Sequence, residues 1–230
     1  MKIFHLSDLH IGLKLMNHDL REDQEYILHQ IVERAREEKP DAILIAGDIY
    51  DKAVPAAEAV EVFDHFINEL TEMVPEAVIM MVSGNHDSAP RVNCFRSILS
   101  RQHLYMIGKP PETKEEYIEK VTLTDKYGKV NFYLLPFVKP SMVKQIVGTD
   151  ENDNNLSYDA TLHKLLEREN VNEAERNVLV SHQSICRQEK RRRMSSGWIP
   201  KSAPWEILMK CLRMCWSGLT MRHWDIFISL

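Results

Sequence analysis

The chain has no apolar run approaching the ~20 residues that cross a bilayer, no surplus of basic charge, and little cysteine over most of its length. The first absence excludes a helical membrane span. The N-terminus runs straight into a strand-like KIFHLSDLH where a signal peptide would stand, so a soluble cytoplasmic protein is expected. The net charge of -5 gives no basic stripe of the kind that announces a nucleic-acid binder. An Asp-rich site inflates the negative count and bound divalent ions would offset it, so charge neither supports nor excludes DNA. Of the four cysteines only Cys94 lies in the first 183 residues, which removes a disulfide framework or zinc knuckle from that stretch. No internal repeat is evident, and 230 residues suffice for one α/β domain with or without an appendage.

Hydrophobic periodicity predicts a buried strand over 2–7, then a helix over 19–38. Asp19 is read as its N-cap, with Glu22 completing a capping box and Tyr26, Ile27, Ile31 and Ala35 facing inward. A continuous apolar strand follows at 42–46. A helix over 55–71 comes next, with Val62, Phe63, Phe66, Ile67 and Leu70 at helical spacing, and then a strand over 77–82. Strands apolar throughout, alternating with amphipathic helices, imply a sheet covered on both faces. Further along, 120–124 and 129–135 flank a turn and read as a hairpin, 146–157 as a polar loop, 158–168 as a helix, and 177–181 as a strand ending on His182.

Four short clusters sit where strands should end: Asp8-Leu9-His10, Gly47-Asp48-Ile49-Tyr50-Asp51, Gly84-Asn85-His86-Asp87 and Ser181-His182. In open α/β sheets ligands collect at the carboxyl ends of strands. A lone Asp-x-His is a weak signal, but four clusters in order, each after a strand, are not. Together they resemble most of a two-metal phosphoesterase site. Hydrolysing a phosphodiester near neutral pH needs a hydroxide and neutralised phosphoryl oxygens, which two metal ions about 3.5–4 Å apart supply together. Mixed oxygen and nitrogen ligands suit manganese or iron. Asp8 and His10, two apart on an extended segment, can reach one ion. Asp48, preceded by Gly47, is the candidate bridge; Asn85 and His182 would serve the second ion, and His86 would protonate the leaving group or stabilise the transition state. Asp51 and Asp87 are read as loop braces or partners that hold a histidine tautomer. His5, His18, His29, His65, His103 and His163 lack such context.

These residues make the first 183 positions resemble a calcineurin-like metallophosphoesterase. The phrases MKIFHLSDLHIG, GDIYDKAVP and SGNHDS resemble, within that superfamily, the D subunit of bacterial SbcCD nucleases. The resemblance implies a layered αββα sandwich carrying two divalent ions, most often manganese. It implies double-strand exonuclease and single-strand or hairpin endonuclease activity in DNA repair and recombination. It also implies a coiled-coil SbcC-type ATPase partner and a homodimer within the complex. By the same resemblance Asp8, His10, Asp48, Asn85 and His182 are metal ligands and His86 is the catalytic histidine. A small-nucleotide phosphodiesterase or phosphatase of the same superfamily, and a non-enzymatic remnant, are the competing readings.

The family's last ligands lie in a Gly-His-x-His motif, and this sequence has none. All four tryptophans, Trp198, Trp205, Trp216 and Trp224, and three cysteines, Cys186, Cys211 and Cys215, come after Gln183. The chain is therefore read as a metallophosphoesterase domain over 1–183, incomplete on its C-terminal side, and an anomalous tail over 184–230 without strand-turn-helix grammar. Reading the codons of residues 223–230 from the third base of the His223 codon permits Leu-Gly-His-Ile-His-Lys-Pro, with the Gly forced by the Trp224 and Asp225 codons. The tail is thus expected to be a frameshift product, with low stability and little nuclease activity for the chain as written. A zinc site from Cys186, Cys211, Cys215 and His223 lacks paired Cys-x2-Cys spacing.

Overall fold

The protein is described by a computed structural model covering residues 1–183 and the strand at 224–229. In chain order the elements are β1 (Ile3–Leu6), a ribbon of β2 (Lys14–Leu15) and β3 (His18–Asp19), α1 (Arg21–Glu38), β4 (Ala42–Ala46), α2 (Ala57–Met73) and β5 (Val78–Val82). Two short helices follow, α3 (Ala89–Val92) and α4 (Arg96–Leu99), and then β6 (Leu104–Ile107). The hairpin β7 (Glu119–Asp125) and β8 (Gly128–Leu135), α5 (Lys144–Val147), α6 (Tyr158–Glu167), β9 (Arg176–His182) and β10 (Trp224–Ser229) complete the set.

Two four-stranded sheets stack face to face. The first is fully parallel in the order β1-β4-β5-β6. The second runs β10-β9-β8-β7, with only the hairpin pair antiparallel. The alternation of side chains along each strand sorts the core into three layers. Ile43 and Ile45 of β4, with Ile79 and Met81 of β5, face α1 and α2. Ala42, Leu44 and Ala46, with Val78, Met80 and Val82, face the other sheet, where they meet Val130, Phe132 and Leu134 of β8 and Val178 and Val180 of β9. Tyr133, Leu135 and Leu179 point outward onto α6, covered by Leu162, Leu165 and Leu166. The molecule is therefore an α/β sandwich layered αββα. Its first sheet is covered by helices on one face and by the second sheet on the other, so the wholly apolar β4 and β5 are explained.

Most elements fall where the periodicity places them, and the departures have physical causes. Helix α1 begins at Arg21, not Asp19, and its N-cap is Leu20 without a side-chain cap; Asp19 instead closes the small ribbon and its Oδ1 accepts the Arg21 amide at 3.0 Å. The buried stripe of α1 is Leu28, Val32 and Ala35 with Ile31 alongside, while Tyr26 and Ile27 are exposed. Gln24, one turn before Leu28, is bonded to the loop after β1 and sets this rotation. Strand β6 was not legible, because Leu104–Ile107 is short and follows two single-turn helices. The strand Trp224–Ser229 lies parallel to β9 in register Ser229 to His182, where the sequence reading gives the tail no regular element. The remainder of that tail, including the cysteines and the Arg191-Arg192-Arg193 run, lies outside the described residues. Among the described residues no helix is long and apolar enough to cross a membrane.

Candidate metal centre

The four clusters converge at the carboxyl ends of β1, β4, β5 and β9. Parallel pairing brings the first three side by side, and the Asp8 and His10 amides bond the carbonyls of Gly47 and Asp48 at 3.1 and 2.9 Å. Three non-glycine residues here have left-handed backbone: Asp8 at φ 53°, His10 at 43° and Asp48 at 49°. Such conformations cost energy and persist where the surroundings over-determine them, often at functional sites.

Asp48 sits at the centre, with only 3% of its surface exposed. Its Oδ1 accepts the His86 amide at 2.9 Å. Its Oδ2 lies 3.6 Å from His10 Nε2 and 3.4 Å from His182 Nε2. Two glycines make room for this approach. A Cβ on Gly84 would fall on the Asp48 carboxylate and amide, and one on Gly47, itself at φ 83°, would meet the His182 Cβ at 2.5 Å.

His182, also 3% exposed, reaches across from the second sheet. Its Nδ1 faces the Ala46 carbonyl at 2.9 Å, and a carbonyl only accepts, so that nitrogen carries the proton. Its Nε2 then turns towards two further oxygens, Asn85 Oδ1 at 3.1 Å and Asp48 Oδ2. Burial pushes the His182 pKa down, but the hydrogen bond and charge of Asp48, with the Ala46 carbonyl, outweigh it and hold it above the ordinary value. Burial also pushes Asp48 up, yet bonds from His182 and the His86 amide hold it below the usual carboxylate range. A nitrogen lone pair and two oxygens converging on one point are a donor set for a cation.

Among the described residues, two groups of side chains have ligand atoms within 4.8 Å of one another: Asp8, Asp48 and His182, and His10, Asp48 and His86. Asp48 is common to both. The grouping differs from the expected division, which pairs Asp8 with His10; those two stand 4.0 Å apart at Asp8 Oδ1 and His10 Nε2. His10 Nδ1 is buried without a hydrogen bond, with Asp51 Oδ1 at 3.7 Å. His86 packs edge-on to His10 at 4.9 Å, and its Nδ1 lies 3.0 Å from the Asp51 carbonyl oxygen. Asp87 accepts the amides of Gly84, Ile49 and Tyr50 at 2.8, 3.1 and 2.9 Å, tying the second cluster to the third. Burial dominates its pKa and raises it in spite of those bonds.

All six expected site residues thus lie in one cluster. His18, His29, His65, His103 and His163 belong to neither group. Of the arginines near the third cluster, Arg96 is paired with Glu119 of β7 at 2.5 Å. Residue patterns did not reveal the Ala46 and Asp51 carbonyls, which carry no side-chain signature, or Gln24, an ordinary helix residue in sequence.

Several solved structures resemble the chain at low identity, and three illustrate the likeness. They are a phosphopantetheinyl hydrolase from Mycobacterium tuberculosis (17% identity, TM-score 0.39, covering 81% of this chain and 70% of that one), a dimetal phosphatase from Danio rerio (13%, 0.41, 80% and 70%) and GAP50, the anchor in the inner membrane complex of Plasmodium (14%, 0.43, 95% and 62%). Likenesses this distant bear on neither substrate nor partner. The family pattern named calcineurin-like phosphoesterase, in contrast, matches residues 1–204 and so includes every cluster above. The chain belongs to the calcineurin-like phosphoesterase family, metal-dependent hydrolases built on a dimetal centre.

Proposed function

We propose that the chain is the nuclease subunit of an SbcCD-type complex, hydrolysing DNA phosphodiesters with two manganese ions. It would act in the cytoplasm, as a homodimer with a coiled-coil ATPase, in DNA repair and recombination. The support is the run KIFHLSDLHIG with GDIYDKAVP and SGNHDS at their spacing. The observation that carries the reading is the place of Asp48, buried between His10 and His182 with one oxygen 3.6 and 3.4 Å from their ring nitrogens.

Two ions bound here would supply a hydroxide at neutral pH and neutralise the phosphoryl oxygens. Asp8, His10, Asp48, Asn85 and His182 would hold them, with Asp48 common to both ligand groups. The His182 tautomer suits that role, because Nδ1–H donates to the Ala46 carbonyl and leaves Nε2 with a lone pair for a metal ion. His86 Nδ1 donates to the Asp51 carbonyl, and Nε2 would protonate a leaving oxygen when the ring is in its imidazolium form, with both nitrogens carrying hydrogen.

The test compares manganese-dependent cleavage of linear duplex DNA and of bis-p-nitrophenyl phosphate. Two chains are assayed: the present one, and one translated after a one-base correction that opens the Gly-His-x-His frame. The corrected chain is expected to cleave both substrates, and the present chain to be slow on both. A corrected chain active on the small diester alone would favour a small-nucleotide phosphodiesterase. Robust DNA cleavage by the sequence-verified 230-residue chain would overturn the impairment reading.

A further inference from the structure

The loop after β1 must hold Asp8 and His10 in left-handed backbone, with Gly12 also at φ 90°. On one side it is tied to the β4 loop through the Asp8, His10 and Ile11 amides, which bond the carbonyls of Gly47, Asp48 and Ile49 at 3.1, 2.9 and 2.9 Å. The other side faces α1. A loop with this conformation leaves backbone groups pointing away from the strand, and buried backbone groups without partners are costly.

A single side chain meets them. Gln24, in the first turn of α1, accepts the Gly12 amide on Oε1 at 3.0 Å. Its Nε2 donates to the carbonyls of Leu9 at 3.2 Å and of His10 at 2.9 Å. A carboxamide has one acceptor and two donor hydrogens, and this set of partners uses all of them. No other uncharged side chain of that length offers both roles. The helix itself is seated by this contact, since Gln24 begins the stripe that continues through Leu28, Val32 and Ala35. From the far side Gly12 abuts α2, where an added Cβ would meet Ala59 Cβ at 2.9 Å, so the loop cannot relax outward.

We infer that Gln24 is a positioning residue of the metal centre: its carboxamide locks residues 9–12 in the geometry that presents Asp8 and His10 to the two ligand groups. The inference rests on the two-metal reading, and it makes a prediction that reading alone does not. Gln24 belongs to neither ligand group, so its loss should act through the loop that carries one ligand of each and weaken manganese binding as a whole.

The experiment uses the full chain and the frame-corrected chain assayed above, each with its Gln24→Met variant, which keeps length and loses the bonds, and its Gln24→Glu variant, which keeps the acceptor and loses both donors. Manganese is titrated by calorimetry and by electron paramagnetic resonance. In parallel, amide hydrogen exchange is followed over residues 9–13 in the metal-free proteins. Outer-sphere partners of ligands are worth about 10- to 100-fold in metal affinity. Manganese binding is therefore expected to weaken by about 10-fold or more in Gln24→Met, with Gln24→Glu also impaired. Exchange over 9–13 should rise in both variants, and exchange in β5 and β8 should not. Equal manganese affinity with and without Gln24→Met would overturn the positioning role while leaving the two-metal reading standing. Failure of both the present and the frame-corrected chain to take manganese would overturn the two-metal reading instead. The exchange data then judge the clamp alone: unchanged exchange over 9–13 in both variants removes it.

Discussion

At the scale of single residues the centre is a set of close approaches that tolerate no added atom. Gly84 lies against the Asp48 carboxylate, and a methyl there would occupy the same space. Gly84→Ala is expected to destabilise the chain by about 1–3 kcal/mol, the usual cost of overpacking. It should also abolish tight manganese binding, and denaturation and calorimetry would check the two effects separately. Preserved binding would mean that Asp48 is not held where described. His182→Ala removes a candidate ligand supplied by the second sheet and should lower the manganese content found by metal analysis of the purified chain; unchanged content would deny it a ligand role. The acidic and imidazole residues of this centre were legible in sequence because strand ends concentrate them in short, charged clusters. Asp51 and Ala46 act through backbone oxygens, which any residue would provide, so no pattern of residue types could point to them.

At the scale of elements, the hairpin β7-β8 is fastened to β9 by a two-pronged pair. Arg176 Nη1 and Nη2 lie 3.0 and 2.5 Å from the Asp125 carboxylate oxygens. Hydrogen bonding from Arg176 is the largest cause holding the Asp125 pKa well below its usual range. A depressed carboxylate contributes stability that is present above the unfolded value of about 3.9 and is lost as pH falls through the folded value. Acid unfolding of the Asp125→Asn variant should therefore lose part of the steepness seen below about pH 4, measured by urea midpoints at successive pH. Identical profiles would deny the pair any part in acid sensitivity. Elements with one strong period were legible: α2 carries Val62, Phe63, Phe66, Ile67 and Leu70 inside, as its spacing requires. Helix α1 misled because it has two apolar stripes. Tyr26-Ile27 and Leu28 compete for the inner face, and a polar anchor, Gln24, decides between them. That decision is tertiary and lies beyond the reach of periodicity.

At the scale of the whole molecule, stability rests on the layer between the sheets, where Phe132 is fully buried among Leu44, Met80 and Val180. Phe132→Ala should cost about 3–5 kcal/mol, a large share of the roughly 5–15 kcal/mol that holds a domain folded. Chemical denaturation would show it, and a cost under about 1 kcal/mol would place the main core elsewhere. The αββα class was legible from the resemblance and from the apolar strands, but not the pairing of β10 with β9, whose residues sit in a stretch without periodic pattern. The same layer has a second consequence. Asp48 hangs from one sheet and His182 from the other, 3.4 Å apart, so the centre behaves as a caliper set across the gap between them. A core swap at Leu44, Phe132 or Val180 that conserves volume is tolerated for under about 1.5 kcal/mol, yet any change in the thickness of that layer opens or closes the jaws. Ion affinity then becomes a readout of packing many residues away, and the range of side chains acceptable in this core is narrowed by chemistry before it is narrowed by folding.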